Sequence, residues 1–110
     1  MKLPNGELAV VEDAKLRDYC LSTTHPQGKH KAHLFADALG ITVSDEALLK
    51  SMLLKAASDD DAVATRKNAF GQLYEIEFTA SHPPKSCAIL SVWIIRDDEG
   101  FPRLVTCYPL

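Results

Sequence analysis

The hydrophobic pattern of this chain changes its period once, at a run of three aspartates over residues 59–61. Before that run, apolar residues recur every three or four positions, which is typical of amphipathic helices. After it, residues 72–80 alternate between apolar and polar side chains, and residues 87–95 are almost wholly apolar. The first of these patterns is typical of a half-buried strand, and the second of a strand covered on both faces. The chain therefore divides into a helical part followed by a strand part.

The helical part predicts three helices, preceded by an apolar arm or short strand that lies over the protein body. The first helix is expected over residues 14–21, with Asp13 as the N-cap that accepts hydrogen bonds from the first turn. The second is expected over residues 28–39, because Gly40 is the residue type usually found just after a helix end. The third follows Ser44 as its N-cap and ends at the aspartate run.

The strand part predicts an antiparallel meander, because the loops at residues 81–85 and 97–100 are too short for a parallel crossover. A short edge strand at residues 62–65 and a final strand at residues 103–108 flank the two longer ones. We therefore expect an α+β fold in which about three N-terminal helices pack on a three- to four-stranded antiparallel sheet. Since 110 residues are enough for one hydrophobic core, residues 1–110 are expected to form a single domain.

Composition argues against several classes of protein. No segment approaches the ~20 apolar residues of a membrane-spanning helix, and the N-terminus lacks the apolar core of a secretion signal. We therefore expect a cytoplasmic protein without membrane contact. The net charge of −3 disfavours a protein that coats nucleic acid, so any positive site must be local. The three cysteines, Cys20, Cys87 and Cys107, lie in apolar runs without regular spacing and are expected to be buried thiols in a reducing compartment.

Residues 25–35 concentrate the groups that can bind an anion or move a proton near neutral pH. The backbone amides at a helix start attract phosphate, and Lys29 and Lys31 add full positive charges there. His25 or His30 can act as a general base or acid, because an imidazole titrates near physiological pH. Lys31 shares its helix face with apolar residues, so we expect its ammonium to point toward the protein body.

Other interpretations of this segment stay open from the sequence. The lysines and histidines of a solvated helix start can simply face water, or Lys31 can bond to backbone carbonyls or to an acid such as Asp18. A metal site at His25, His30 and His33 is not expected. No nearby Asp, Glu or Cys completes a ligand set, and the adjacent lysines repel a cation.

The last two strands hold a second group of candidate residues. If helices cover one face of the sheet, the other face can form a groove in which aromatic rings stack on bases and Arg103 or hydroxyls hold phosphates. The alternative is that Trp93 belongs to the core and that Thr106 is present as a β-branched strand former. The expected floor of this groove consists of Ser91, Trp93, Thr106 and Tyr108.

Several short stretches carry a resemblance that spans most of the chain. They include Leu-Pro-Asn at residues 3–5, Lys-Leu-Arg-Asp-Tyr at 15–19, His-Pro-x-Gly-x-His-Lys-Ala at 25–32 and Pro-Arg-Leu-Val-Thr-Cys-Tyr-Pro at 102–109. Together they resemble a family of small bacterial domains catalogued as a domain of unknown function. Domains of that family occur as short free-standing proteins beside a small partner protein, or at the end of larger toxin-like chains. The resemblance implies a toxin–antitoxin or related conflict setting.

The order of helices followed by an antiparallel sheet also resembles the barnase/EndoU/colicin/RelE group of metal-independent ribonucleases. This likeness implies cleavage of RNA by attack of the ribose 2′-hydroxyl, with no cofactor. One histidine would supply the base or acid, and cationic side chains would stabilise the charged transition state. The catalytic candidates are His25, His30, Lys31, Arg103, Thr106 and Tyr108, and the substrate-binding candidates are Lys29, Ser91 and Trp93.

Two functional hypotheses follow. The first is a ribonuclease-like toxin domain, a candidate endoribonuclease that binds RNA and is held in check by a small antitoxin or immunity-like protein. The second is a non-catalytic protein-binding module that pairs with a small partner protein. In that case residues 25–33 form an interface and the edge of the meander takes a partner strand.

Overall fold

Four antiparallel strands form one sheet in the computed structural model, which describes residues 1–110, and their spatial order is the order of the sequence. The predicted α+β fold and the antiparallel meander are confirmed. Strand β3 pairs along its length with β2 on one side and with β4 on the other, as expected for the most apolar strand. The strands are β1 (Val63–Lys67), β2 (Gly71–His82), β3 (Lys85–Arg96) and β4 (Pro102–Pro109).

Three helices precede the sheet, as the apolar periodicity predicts. Helix α1 begins as Asp13–Lys15 and continues as the π-helical turn Leu16–Cys20, in which the amide of Leu21 donates to the carbonyl of Leu16 over 2.8 Å. The other helices are α2 (Gly28–Leu39) and α3 (Glu46–Asp59), and short 3-10 turns lie at Gly6–Leu8 and Val43–Asp45.

The helix ends differ from the prediction at two of the three caps. Gly40 ends α2 in the left-handed conformation, with φ of 65°, as expected. Asp13, however, lies within the first turn of α1, and the N-cap position is Glu12. The predicted cap Ser44 is also wrong, because a 3-10 turn precedes α3 and its cap is Thr42, which forms a reciprocal capping box with Asp45.

The hydrophobic core lies between the helices and one face of the sheet. Phe35 from α2 and Leu53 from α3 meet Ile76, Ile89 and Trp93 from the strands, and all five are fully buried. Burial of such side chains contributes about 1.5–3 kcal/mol each, so this layer is the main source of stability. The opposite face of the sheet is more exposed, at Glu75, Glu77 and Thr79 of β2 for example, because neighbouring side chains along a strand point to opposite faces, although Leu73 and Ile94 on this face are buried.

The N-terminal segment lies over the body as an arm, as predicted. The amide of Val10 donates to the carbonyl of Pro102 over 2.9 Å, and the amide of Leu104 donates back to Val10 over 3.0 Å. Part of the outer edge of β4 is therefore covered. At the other side of the sheet, β1 pairs only with β2, and all five of its residues are exposed. None of the helices is both long and apolar enough to cross a membrane.

Candidate functional site

The ammonium of Lys31 lies in a pocket of phenol rings where α1, α2 and β4 meet. Its Nζ donates a hydrogen bond to the hydroxyl of Tyr19 over 3.1 Å. It also lies 5.0 Å from the centre of the Tyr19 ring and 5.8 Å from that of Tyr108, within the range of cation–π attraction. Lys31 is half-buried and forms no ion pair with a carboxylate. We call Lys31, Tyr19, Tyr108, Cys20 and Thr106 the Lys31 cluster.

Two local features of the backbone bring this cluster together. The π-helical turn presents Tyr19 and Cys20 toward α2 and β4, and such turns are frequent at functional sites. Gly28 starts α2 directly against the preceding helix, since a Cβ atom at that position would lie 2.0 Å from the carbonyl oxygen of Tyr19. Only glycine permits this approach, which sets the distance between Tyr19 and Lys31.

The structure shows which partner the Lys31 ammonium has among those that the sequence left open. Lys31 bonds to a phenol rather than to backbone carbonyls or to Asp18. Asp18 is exposed and lies 3.6 Å from Arg17 instead. The prediction that the Lys31 ammonium turns toward the protein body agrees with its half-buried position.

His25 caps the start of α2. Its Nδ1 accepts hydrogen bonds from the amides of Gln27 over 3.0 Å and of Gly28 over 2.9 Å, and its ring packs edge-on against Tyr19 with centres 4.9 Å apart. The amide of Lys29 donates to the carbonyl of His25. The expectation that these first amides are open to phosphate is therefore wrong, because His25 occupies them. A neutral His25 in this arrangement carries its proton on Nε2.

Two buried cysteines border the Lys31 cluster. The Sγ of Cys20 lies 4.0 Å from the Oγ1 of Thr106. A hydrogen bond from Cys107 lowers the pKa of the Cys20 thiol to about 7, and the charge of Lys31 acts in the same direction. The pKa of Cys107 is raised well above its usual value by its bond to Cys20 and by burial. Both thiols are buried as predicted, whereas Cys87 is half-buried and burial raises its pKa.

Arg103 lies outside this cluster, among acidic side chains. It donates to both carboxylate oxygens of Glu99, from Nε over 2.8 Å and from the terminal nitrogen over 2.9 Å, and it reaches Glu12 over 3.2 Å. These bonds lower the pKa of Glu99 and raise that of Arg103. Its guanidinium also lies 5.1 Å from the ring centre of Phe101. Arg103 is therefore neutralised by two carboxylates rather than free for a phosphate.

The remaining predicted site residues divide into buried and exposed ones. Ser91 and Trp93 are fully buried on the helix-covered face, where the Ser91 hydroxyl donates to the carbonyl of Ile76 and accepts from the Trp93 indole, both over 2.9 Å. The expected groove with these two residues in its floor is therefore absent. Lys29 and His30 are exposed at the start of α2. The predicted residues that the fold brings together are His25, Lys31, Thr106 and Tyr108, and those it leaves apart are Lys29, His30, Ser91, Trp93 and Arg103.

Tyr19 and Cys20 belong to the site but are absent from the predicted set. Their periodicity on α1 marks them as buried helix residues, and nothing in the local sequence pairs Tyr19 with a lysine twelve positions away. The sequence did place Lys31 on the face of its helix that points toward the protein body. A half-buried ammonium requires a polar partner, so this position indicated that a partner such as Tyr19 must lie nearby.

An open groove of about 710 Å³ lies on the face of the sheet that the helices leave uncovered. Its apolar floor includes Leu73, Val92 and Ile94. Its cationic side chains are Lys15, Arg66, Arg96 and Arg103, its acidic ones are Glu12 and Asp98, and Phe70 lines one side. No group of three or more His, Cys, Asp or Glu side chains is arranged to hold a metal ion.

Residues 2–110 match the family described as Domain of unknown function (DUF6883), and the chain belongs to that family. The resemblance of the sequence to a family of small domains of unknown function is thereby confirmed. No curated protein matches the chain, and no solved structure matches it.

Proposed function

We propose that this protein is a ribonuclease-like toxin domain that acts in the cytoplasm and holds the scissile phosphate of RNA at the Lys31 cluster. The observation that carries the proposal is the ammonium of Lys31, which is half-buried, bonded to the Tyr19 hydroxyl and paired with no carboxylate. A charge in such a place attracts an anion more strongly than a fully solvated one, because water screens it less. A phosphate oxygen would complete its bonding.

The neighbours of Lys31 suit a phosphodiester with a base on each side. Tyr19 and Tyr108 offer ring faces beside the ammonium, and base–aromatic stacking is tolerant of sequence. The hydroxyl of Thr106 lies at the same junction, next to Cys20. These groups combine a cation, hydroxyl donors and aromatic surface, which are the elements needed to bind a single-stranded RNA segment.

Cleavage then requires two proton transfers. The ribose 2′-hydroxyl gives its proton to a base as its oxygen bonds to phosphorus, the bond from phosphorus to the 5′-oxygen breaks, and that oxygen takes a proton from a solvent water. The protonated base then returns its proton to the hydroxide that this water leaves. His30 lies outside the Lys31 cluster, exposed at the start of α2, and its ring forms no hydrogen bond with the protein; in this proposal it reaches the bound RNA from there and accepts the first proton. His25, whose Nδ1 is occupied, offers Nε2–H as a donor to a phosphate oxygen. Lys31 offsets the charge that develops on the phosphate.

The test is cleavage of a mixed-sequence RNA in the presence of EDTA. Lys31→Ala should slow cleavage by about 10²–10³-fold, the usual cost of removing a group that stabilises developing charge. Lys55→Ala is the matched control, since it removes the same charge from an exposed position on α3. It should cleave at the wild-type rate, and the products should end in a 2′,3′-cyclic phosphate.

Two outcomes would contradict the proposal in different ways. Wild-type cleavage by Lys31→Ala would remove Lys31 from the mechanism. Failure of the folded wild-type protein to cleave any RNA would remove the enzymatic claim altogether. Circular dichroism of each variant separates loss of activity from loss of fold.

One observation favours the alternative of a protein-binding module. Strand β1 is an edge strand whose five residues are all exposed and whose outer backbone groups have no partner strand. Such an edge is a template for an added strand from another chain. A small partner that is captured by this edge would be released by Thr65→Pro, because proline has no amide hydrogen to donate and is poorly tolerated in a paired strand.

A further inference from the structure

The open groove on the sheet has an exposed rim at Phe70, where the backbone is held in place by hydrogen bonds. Phe70, at the turn between β1 and β2, is 71 % exposed, so its ring is open to solvent at the rim of the groove. Its backbone is nevertheless fixed on both sides. Its amide donates to the Oδ1 of Asn68 over 2.8 Å, and its carbonyl accepts from the amide of Asp97 over 2.9 Å. The ring is therefore held out into solvent by a firmly bonded turn.

Cationic side chains line the same groove as this ring. Four of them line the groove with two acidic ones, in a chain whose net charge is −3. Arg103 is neutralised by its two carboxylates, and Arg96 lies 3.9 Å from Glu99. Arg66 and Lys15 form no ion pair and remain available. The groove therefore holds a local excess of positive charge beside an exposed aromatic ring and an apolar floor.

The groove and the Lys31 cluster lie along the same strand. Leu104 and Val105 of β4 line the groove, and Tyr108 of β4 contacts the Lys31 ammonium. Tyr108 lies four positions after Leu104, and four steps along an extended strand amount to about 14 Å. A chain seated at one end of β4 can therefore reach the other end without leaving the sheet surface.

We propose that this groove binds single-stranded RNA next to the cleaved phosphate, with a base stacked on Phe70 and a backbone phosphate held by Arg66. The inference rests on the proposed function and adds to it the path of the substrate strand. Aromatic faces combined with unpaired cations are the general means of binding single-stranded nucleic acid. The charge of the groove favours a polyanion, and its open shape admits a flexible strand more readily than a duplex.

The test uses a short 2′-O-methyl RNA oligomer, which has no free 2′-hydroxyl and therefore reports binding without cleavage. Phe70→Leu, which keeps apolar volume but loses the aromatic face, should weaken binding measured by fluorescence anisotropy about tenfold, the scale expected for one stacked base. Phe70→Trp should bind at least as tightly as wild type. Arg66→Ala should weaken binding about fivefold at low salt and less at high salt.

Lys67→Ala is the matched control for Arg66→Ala. Lys67 is the next residue of β1, its ammonium lies 3.6 Å from Asp97, and it does not line the groove. Its loss should leave binding within about twofold of wild type, because a single exposed charge outside the groove contributes little. Equal losses from Lys67→Ala and Arg66→Ala would mean that the effect is overall charge rather than the groove, and would overturn the inference.

The remaining outcomes separate this inference from the proposed function. If the wild-type protein cleaves RNA while Phe70→Leu and Arg66→Ala bind the oligomer normally, the groove assignment fails and the ribonuclease stands. If the oligomer binds in a Phe70-dependent way but no RNA is cleaved, the groove stands and the ribonuclease fails. Binding of an acidic peptide through Arg66, with no binding of the oligomer, would overturn the RNA assignment.

Discussion

Replacement of Gly28 by alanine should destabilise the fold by an amount that follows from the approach of α2 to α1. A Cβ atom at this position would lie 2.0 Å from the carbonyl oxygen of Tyr19 and 2.8 Å from its carbonyl carbon, whereas ordinary contacts lie at 3.4–4 Å. The obstacle is backbone, so relief requires that α2 moves away from the π-helical turn. Overpacking of this kind costs about 1–3 kcal/mol, and a rigid obstacle favours the upper end.

The expected loss translates into a large change in melting temperature. At about 4–8 °C for each kcal/mol, a net loss of about 2–2.5 kcal/mol should make Gly28→Ala melt about 8–20 °C below wild type in a circular dichroism scan. The gain of about 0.5–1 kcal/mol that alanine usually brings to a helix is too small to compensate. Gly100→Ala is the control, because no atom lies within 4 Å of the added Cβ and φ is not positive there. Melting of Gly28→Ala within about 2 °C of wild type would refute the argument for close approach.

Three further predictions concern the supports of the site and the core. His25→Ala should lower the free energy of unfolding by about 1 kcal/mol through loss of the α2 cap, and His25→Asn should recover most of it in urea titrations; an equal loss in both variants would argue against a capping role. Ser91→Ala should cost about 1–3 kcal/mol, because it leaves the buried Trp93 indole N–H without an acceptor, and an unchanged urea midpoint would contradict this. Arg103 holds the pKa of Glu99 below its usual value, so the pair stabilises the fold above the unfolded-state pKa and this contribution disappears as the pH falls through the folded-state pKa. Between about pH 5 and pH 3, wild type should therefore lose more stability than Glu99→Gln, and parallel losses would contradict the assignment.

The layout of the fold could be predicted because its signals are local. The alternation over residues 72–80 and the apolar run over residues 87–95 mark β2 and β3 without any knowledge of their neighbours. Gly40 marks the end of α2 for an equally local reason, its left-handed conformation. The start of α3 was less predictable, because Ser44 and Thr42 are both good caps and the 3-10 turn that decides between them depends on the Thr42–Asp45 box.

The site was predictable only in part, because its contacts join distant segments. The inward phase of Lys31 could be read from α2 alone, but its partner Tyr19 depends on how closely α1 and α2 approach. Arg103 illustrates the opposite case. The sequence around Arg103 predicts a cation on a strand. Its bonds to Glu99 and Glu12, however, depend on the turn after β3 and on the N-terminal arm. Sequence patterns identify groups with suitable chemistry, and tertiary contacts decide which of them stay free.

Trp93 shows that the face of the sheet on which a strand residue lies decides whether it can form a binding site or belongs to the core. An aromatic residue on the open face of the sheet could stack on bases, whereas one on the helix-covered face fills the core. The strand pattern alone does not specify which face the helices cover. The structure places Trp93 on the covered face with no exposure, and the exposed aromatic residue near the open face is Phe70, at a turn outside the alternating pattern.

The most direct measurement of the central claim is a crystal structure of the protein with a short RNA whose scissile nucleotide is 2′-deoxy, so that it cannot be cleaved there. The account predicts that a phosphate oxygen accepts a hydrogen bond from the Nζ of Lys31 between the rings of Tyr19 and Tyr108, at about 2.7–2.9 Å. An RNA bound with its phosphates away from Lys31, and an ammonium that keeps Tyr19 as its only partner, would contradict the claim that the Lys31 cluster holds the scissile phosphate.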